Sequence, residues 1–146
     1  MAEFVFEGTD EFRHYLEQLP QVAMAAAEPA MQQAILYLHG KLPEYPPELP
    51  NQRYQRTNTL GRRWTTMVEV GLESVIGRLG TNVPYAPWVV GPDYPGETIN
   101  GFEMYQAKIH QGRWWQLEDV IDNNIGGAWT EFEKHFNSEI KRLEEK

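Results

Sequence analysis

Apolar residues recur every three to four positions through the last third of the chain. From Leu117 to Leu143, successive apolar residues are four, four, four, three, four, four and three positions apart. This spacing keeps them on one face of an α-helix and predicts a long C-terminal helix over residues 113–144. Gly126 and Gly127 lie within the series, and each glycine weakens a helix by about 1 kcal/mol relative to alanine. Either the helix breaks there, or another element packs so closely that only glycine fits.

A second helical pattern covers residues 9–42. Its first part shows the spacing of one helical face at Phe12, Tyr15, Leu16 and Leu19. Its second part is an alanine-rich run from Val22 to Leu38, in which Pro29 should kink or split the helix. The four prolines of residues 43–50 then predict an extended linker, because such a segment can be neither a helix nor an inner strand.

Alternation of apolar and polar residues predicts strands elsewhere. Residues 64–70 alternate, and after a turn at Gly71 the segment from Glu73 to Leu79 returns as a second strand. Tyr105 to His110 can supply a third strand. Glu3 to Glu7 alternates in the same way and is predicted to be a short edge strand.

Together these elements predict an α+β fold in one domain over residues 1–146. A small antiparallel sheet of three to four strands lies within residues 63–110 and packs against the N-terminal helices and the long C-terminal helix. Residues 92–104 are polar and rich in turn-forming residues, so we expect a mobile loop there.

The composition narrows the possible functions. The 146 residues include no cysteine, which removes disulfides, thiolate catalysis and cysteine-based zinc sites. The net charge of −8 argues against a general phosphate-binding surface, although residues 51–80 carry +3 and the remainder −11. The basic and acidic regions of different copies can attract each other when the copies pack head to tail. Alternatively, residues 51–80 form a solvated arginine-rich face. No apolar run approaches the roughly 20 residues that span a bilayer, and the acidic start is unlike a secretory leader, so we expect a soluble protein.

No set of residues has the spacing of a catalytic or metal site. Ser74 and Ser138 are the only serines, and neither lies in a nucleophile elbow. The four histidines are scattered, and only His135 and Glu139 form a helical i, i+4 pair, so no metal or cofactor is predicted. Carboxylate pairs form in space rather than in sequence, so a small hydrolase or sugar-binding domain stays open as an alternative.

The stretch VPYAPW at residues 83–88 places two aromatic residues among two prolines. Its backbone is stiff and cannot lie inside a sheet, so it predicts a rigid aromatic surface suited to docking against another protein. Trp64 and Trp129 fall on a strand and on the helical stripe, so both should be core. Only the remaining tryptophans are candidates for exposure, and three alternatives stay open for them: a protein interface, the core, or stacking on a sugar or nucleotide. These residues are Trp88, Trp114 and Trp115.

Three short motifs also follow one another along the chain. The first fits an R-T-G-x-L turn at Arg56, Thr57 and Leu60. Asn58 stands there in place of the usual glycine, and asparagine tolerates positive φ better than most residues. Residues 80–86 fit a G-T/N-N-V-x-Y-A segment, and residues 110–114 fit a third motif. In these motifs the chain resembles the HK97 gp10-like family of bacteriophage neck and minor tail (tail-completion) proteins.

The resemblance implies a non-enzymatic structural protein of the virion, present in the host cytoplasm during assembly. It implies a homo-oligomeric ring that takes part in head–tail joining. The expected partners are connector or portal-side proteins and tail-tube proteins. Neither a membrane nor a cofactor is expected. DNA would only pass through a channel lined by the acidic majority, without specific binding. A tail terminator of the same virion is the nearest alternative. The residues expected at the interfaces are Arg56, Thr57, Asn82, Tyr85, Trp88, Trp114 and Trp115.

Overall fold

The chain combines helices with antiparallel strands, which is consistent with the predicted α+β class. The structure, a computed structural model, describes residues 2–5, 14, 17, 20–52, 56–72, 74–91, 97–99 and 102–146. In chain order the elements are β1 (Ala2–Val5), α1 (Pro20–Gly40), α2 (Thr59–Arg62), β2 (Trp64–Val70), β3 (Val75–Thr81), α3 (Ala86–Val90), β4 (Glu97–Ile99), β5 (Phe102–Met104) and α4 (Leu117–Glu144). The apolar face predicted at Phe12 to Leu19 lies outside the described residues.

Three strands form one antiparallel sheet in the order β1-β3-β2. β3 is the central strand, and its alternate residues Val75, Gly77 and Leu79 are buried beneath α1. β1 confirms the predicted edge strand over its described part, and β2 confirms the strand predicted at residues 64–70. The sheet therefore has β3 at its centre and β1 and β2 at its edges.

The third strand predicted at Tyr105 to His110 is wrong. This segment is a series of turns, in which the His110 amide donates to the Ala107 carbonyl at 2.8 Å and the Trp114 amide donates to the His110 carbonyl at 2.8 Å. Strands occur instead inside the predicted loop 92–104, where β4 and β5 pair with each other as a separate two-stranded sheet. The mobility expected for that loop stays a prediction.

α1 forms the middle layer of the fold. It runs unbroken through Pro29, so the predicted split does not occur. α1 contacts both the sheet, through β2 and β3, and α4, so the sheet meets α4 mainly through α1 rather than directly as predicted. The close approach of these layers depends on small residues with no exposed surface: Ala23, Ala26, Ala27, Ala30 and Ala34.

α4 begins at Leu117 rather than at residue 113 and continues through both glycines. A Cβ atom added at Gly127 would lie 2.1 Å from the Tyr37 hydroxyl oxygen and 2.5 Å from its Cζ, whereas one at Gly126 meets nothing within 4 Å. Of the two explanations offered by the sequence, close packing is therefore correct at Gly127, where the ring of Tyr37 in α1 lies against the helix.

A second buried cluster lies beside this three-layer core. It contains Leu60, Val83, Ala86, Val89, Val90 and Trp114, with Tyr45, Trp64 and Trp115 at its border. Trp64 also packs against the main core, so it joins the two clusters. The proline-rich residues 43–50 run alongside without helix or strand, as predicted.

Candidate docking cleft

An open cleft of about 420 Å³ lies over the second cluster. It is bounded by the loop that leads into α2, by the turn that leads into α3, and by the turns before α4. We call it the aromatic cleft. Five of the seven interface residues predicted from the sequence line it: Arg56, Thr57, Tyr85, Trp88 and Trp114. The fold thus brings together residues from three separate motifs.

The first motif forms the tight turn at one wall of the cleft. Asn58 has φ 56° and ψ 16°, and it is the one non-glycine residue with positive φ in the described part of the chain. This confirms that asparagine takes the place of glycine there. The hydroxyl oxygens of Thr57 and Thr59 lie 2.7 Å apart, and Leu60 is buried in the second cluster.

Arg56 holds the proline-rich segment in place. Its guanidinium donates to the carbonyl oxygens of Pro46 and Pro47, the latter at 3.4 Å, and Arg113 donates to the same Pro47 oxygen at 3.2 Å. The Arg56 side chain is only 9% exposed. Its two terminal guanidinium nitrogens thus bond within the chain, and its predicted role at an interface stays a prediction.

Aromatic rings form the floor of the cleft. Trp114 is buried, with its ring centroid 4.9 Å from that of Tyr45 and 5.8 Å from that of His110. The Arg56 guanidinium carbon lies 5.3 Å from the Trp114 ring centroid, within cation–π range. Of the alternatives left open for Trp114, its burial in the second cluster favours a core position.

Two predicted interface residues do not line the cleft. Trp115 is half-buried and packs against Trp64, with ring centroids 5.9 Å apart. Asn82 is exposed on the turn between β3 and α3. Of the two tryptophans expected in the core, Trp64 is half-buried between the clusters, and Trp129 is half-buried and stacks on Phe132 at 5.2 Å.

The rim of the cleft is apolar and open. Tyr85 is 43% exposed and Ile109 65% exposed. Trp88 is half-buried, with its ring edge-on to Tyr105 at 5.7 Å. Pro87 lies in the first turn of α3, where its fixed φ suits a helix start, so Trp88 is held on a short helix outside the sheet. The rim is therefore exposed but set on a stiff backbone.

Gln106 fixes the turns that carry the far wall, and sequence reasoning missed it. Its side chain is fully buried, and its Nε2 donates to the carbonyl oxygens of Val89 at 2.7 Å and Trp114 at 3.2 Å. Its Oε1 accepts from Gln116 Nε2 at 3.4 Å. A glutamine in a polar stretch gives no sign of burial, because its partners come from α3 and from the following turn.

His110 lines the cleft as a buried base. Burial lowers the pKa of His110, and the positive charges of Arg113 and Arg56 lower that pKa further. The imidazole is therefore neutral at neutral pH. Among the described residues that line the cleft there is no aspartate or glutamate. The cleft thus offers hydrogen-bond donors and apolar surface.

The described residues contain no group of three or more histidine, aspartate or glutamate side chains placed to hold a metal ion. Within the described part, no helix combines the length and the apolar character needed to cross a bilayer. Comparison with protein-family models, with curated proteins and with solved structures gives no match to this chain.

Proposed function

We propose that this chain is a non-enzymatic structural subunit of a tailed-bacteriophage neck or tail end, which assembles into a ring and takes part in joining head to tail. The sequence resemblance suggests this role, and one observation carries it further. The motifs behind the resemblance, separated along the chain, converge on the aromatic cleft. A cleft built from these motifs is the natural place for the contact that the role requires.

The construction of the cleft suits protein docking. Tyr85, Ile109 and Trp88 form an apolar rim, while Trp114 and Leu60 beneath them are buried and immobilised by packing. Tyrosine and tryptophan in such positions often dominate binding energy, because large rigid side chains bury much area at little entropic cost. The rim therefore presents anchor residues that need little reorganisation on binding.

The proposal is tested by deleting the gene in the phage or prophage that encodes it and complementing with variants. We expect unjoined heads and tails in the knockout by electron microscopy, restored by the wild type but not by Trp88→Ala or Tyr85→Ala. Loss of an anchor of this type costs about 2 kcal/mol of binding, roughly thirtyfold in affinity. Ile125→Ala, which truncates an exposed apolar residue on α4, is the matched control and should complement.

Complete particles from the knockout would refute the proposal. Tails of abnormal length on intact necks would instead favour the tail-terminator alternative, which caps the tube. The hydrolase or sugar-binding alternative has less support, because the described lining of the cleft supplies no carboxylate for acid–base catalysis. Turnover of a substrate by the purified chain in a broad glycan and ester screen would support the hydrolase alternative.

A further inference from the structure

We propose that the open edge of β2 is the docking site for a second copy of this chain, whose β4–β5 hairpin adds to the sheet beside β2. The inference rests on the proposed ring assembly and deepens it by naming the two segments that meet. Strand addition of this kind gives affinity through main-chain hydrogen bonds and specificity through the side chains that flank the edge.

The outward-facing backbone groups of β2 follow from its pairing with β3. The Gly71 amide donates to the Ser74 carbonyl at 2.8 Å, which makes this a hydrogen-bonded pair at the hairpin end. Such pairs alternate with pairs whose N–H and C=O groups point away, and the register is continuous from Val70↔Val75 to Trp64↔Thr81. Thr66, Val68 and Val70 therefore direct their backbone groups outward from the sheet, at the edge of the order β1-β3-β2.

A groove of about 260 Å³ with a mixed polar and apolar lining runs beside this edge, between β2 and α1. Leu36 on α1 is 52% exposed and Met67 on β2 is 44% exposed, and both line the groove. β2 has no proline and no bulge, and the one charge within it, Glu69, is paired with Arg78 on β3. Proline, bulges and charges are devices that usually block a strand edge. β2 has neither proline nor bulge, its charge is paired within the sheet, and none of the described strands pairs with its outer side, so among the described residues this edge is available to pair.

The β4–β5 hairpin is the occupant that the chain itself supplies. Among the described strands, β4 and β5 pair only with each other, and an isolated two-stranded ribbon is marginally stable in water. Residues 97–104 carry Glu97 and Glu103 with no basic residue, whereas exposed Arg62 and Arg63 directly precede β2. Opposite charges thus favour the hairpin as the partner of this edge.

The symmetry of the contact also points to the hairpin. A hairpin on β2 joins two different surfaces, and such head-to-tail contacts repeat from copy to copy and form a ring when the rotation between copies closes. A β2 edge paired with the β2 edge of another copy would use the same surface twice and would stop at a dimer. The hairpin is therefore the occupant consistent with a ring.

Cysteine cross-linking tests the contact directly, because the natural chain has no cysteine. Met67 belongs to the set of β2 residues that would face an added strand in non-hydrogen-bonded pairs, where Cα atoms are about 4.5 Å apart and within disulfide range. Met67→Cys protein is mixed with Thr98→Cys or Glu103→Cys protein and oxidised. We expect a mixed disulfide dimer with at least one of the two, about tenfold above the pair Met67→Cys with Ser138→Cys, since only a specific contact holds the sulfurs within reach.

A proline variant shows whether the cross-link depends on strand pairing. Thr66→Pro removes an outward N–H of the edge without removing a bond to β3, a position where edge strands tolerate proline. Introduced beside Met67→Cys, it should abolish the mixed dimer while the far-ultraviolet circular dichroism spectrum is unchanged. A retained cross-link would exclude main-chain pairing.

Other outcomes overturn the inference without deciding the proposed function. Met67→Cys homodimers would show that β2 edges pair with each other, and rings without a mixed cross-link would place the contact elsewhere. A chain that stays monomeric at its highest soluble concentration, with no mixed cross-link, also contradicts hairpin docking. Virion images from the gene deletion judge the proposed function separately.

Discussion

Two neighbouring glycines in α4 allow a matched test of how closely α1 and α4 pack. Gly126 faces open space, and Gly127 lies against the ring of Tyr37. Replacing either by alanine gains about 1 kcal/mol of helix propensity. We therefore expect Gly126→Ala to raise the free energy of unfolding by about that amount.

Gly127→Ala gains the same propensity but introduces a clash. Its Cβ would lie 2.1 Å from the Tyr37 hydroxyl oxygen and 2.8 Å from Cε1, so the half-buried Tyr37 side chain or the two helices must shift. Overpacking of this kind costs about 1–3 kcal/mol. The difference between the two variants, about 1–3 kcal/mol, measures the clash alone, because propensity cancels between adjacent positions.

Urea unfolding followed by circular dichroism gives both free energies. A chain of this size shifts its melting temperature by about 2–4 °C per kcal/mol, so thermal scans offer a second reading. In a Tyr37→Ala background, Gly127→Ala should become stabilising, with a coupling energy of about 1–3 kcal/mol. If Gly127→Ala is as stabilising as Gly126→Ala in the wild-type background, the proposed packing of Tyr37 on α4 is refuted.

The buried polar residues of the cleft give two further predictions. Arg56→Ala should lower the free energy of unfolding by about 1.5–3 kcal/mol, because it removes charge-assisted hydrogen bonds to the proline-rich segment. The control Arg62→Ala, at an exposed position, should change this free energy little. Equal urea midpoints for the two variants would show that the Arg56 contact adds no stability. The pKa of His110 is lowered in the folded chain, so the neutral imidazole favours folding. The stability that His110 contributes is therefore complete above about pH 6.5, the pKa of histidine in an unfolded chain, and is lost as the pH falls below that value. Unfolding curves at about pH 7.5 and pH 5.5 should therefore differ more for the wild type than for His110→Gln, and equal differences would count against a buried neutral imidazole.

The sequence pattern correctly predicted those helices, strands and turns that depend mainly on residues near each other in the chain. The apolar stripe of α4 and the alternation in β2 were sufficient to place these elements, and Asn58 adopts the positive φ expected where glycine is usual. Pro29 did not split α1, because packing on both sides of a helix can outweigh the loss of one hydrogen bond.

The errors concern residues whose partners are distant in sequence. Arg113 and Pro47 are 66 positions apart, and nothing near either residue indicates that they meet. The sequence left open whether Trp114 is exposed or buried, because Tyr45, which packs on it, comes from the distant proline-rich segment. The turns around Gln106 were mistaken for a strand because the buried amide that fixes them has no local signal.

The alanines of α1 have a consequence for how such a subunit can diverge. Ala27 and Ala30 have no exposed surface, so a larger side chain at either position would have to displace an element packed on α1. The side chains of Tyr85 and Ile109 project into solvent and carry no such constraint. Under the proposed docking function, sequence changes at the mouth of the cleft would therefore alter what this surface binds, while the scaffold beneath it stays the same.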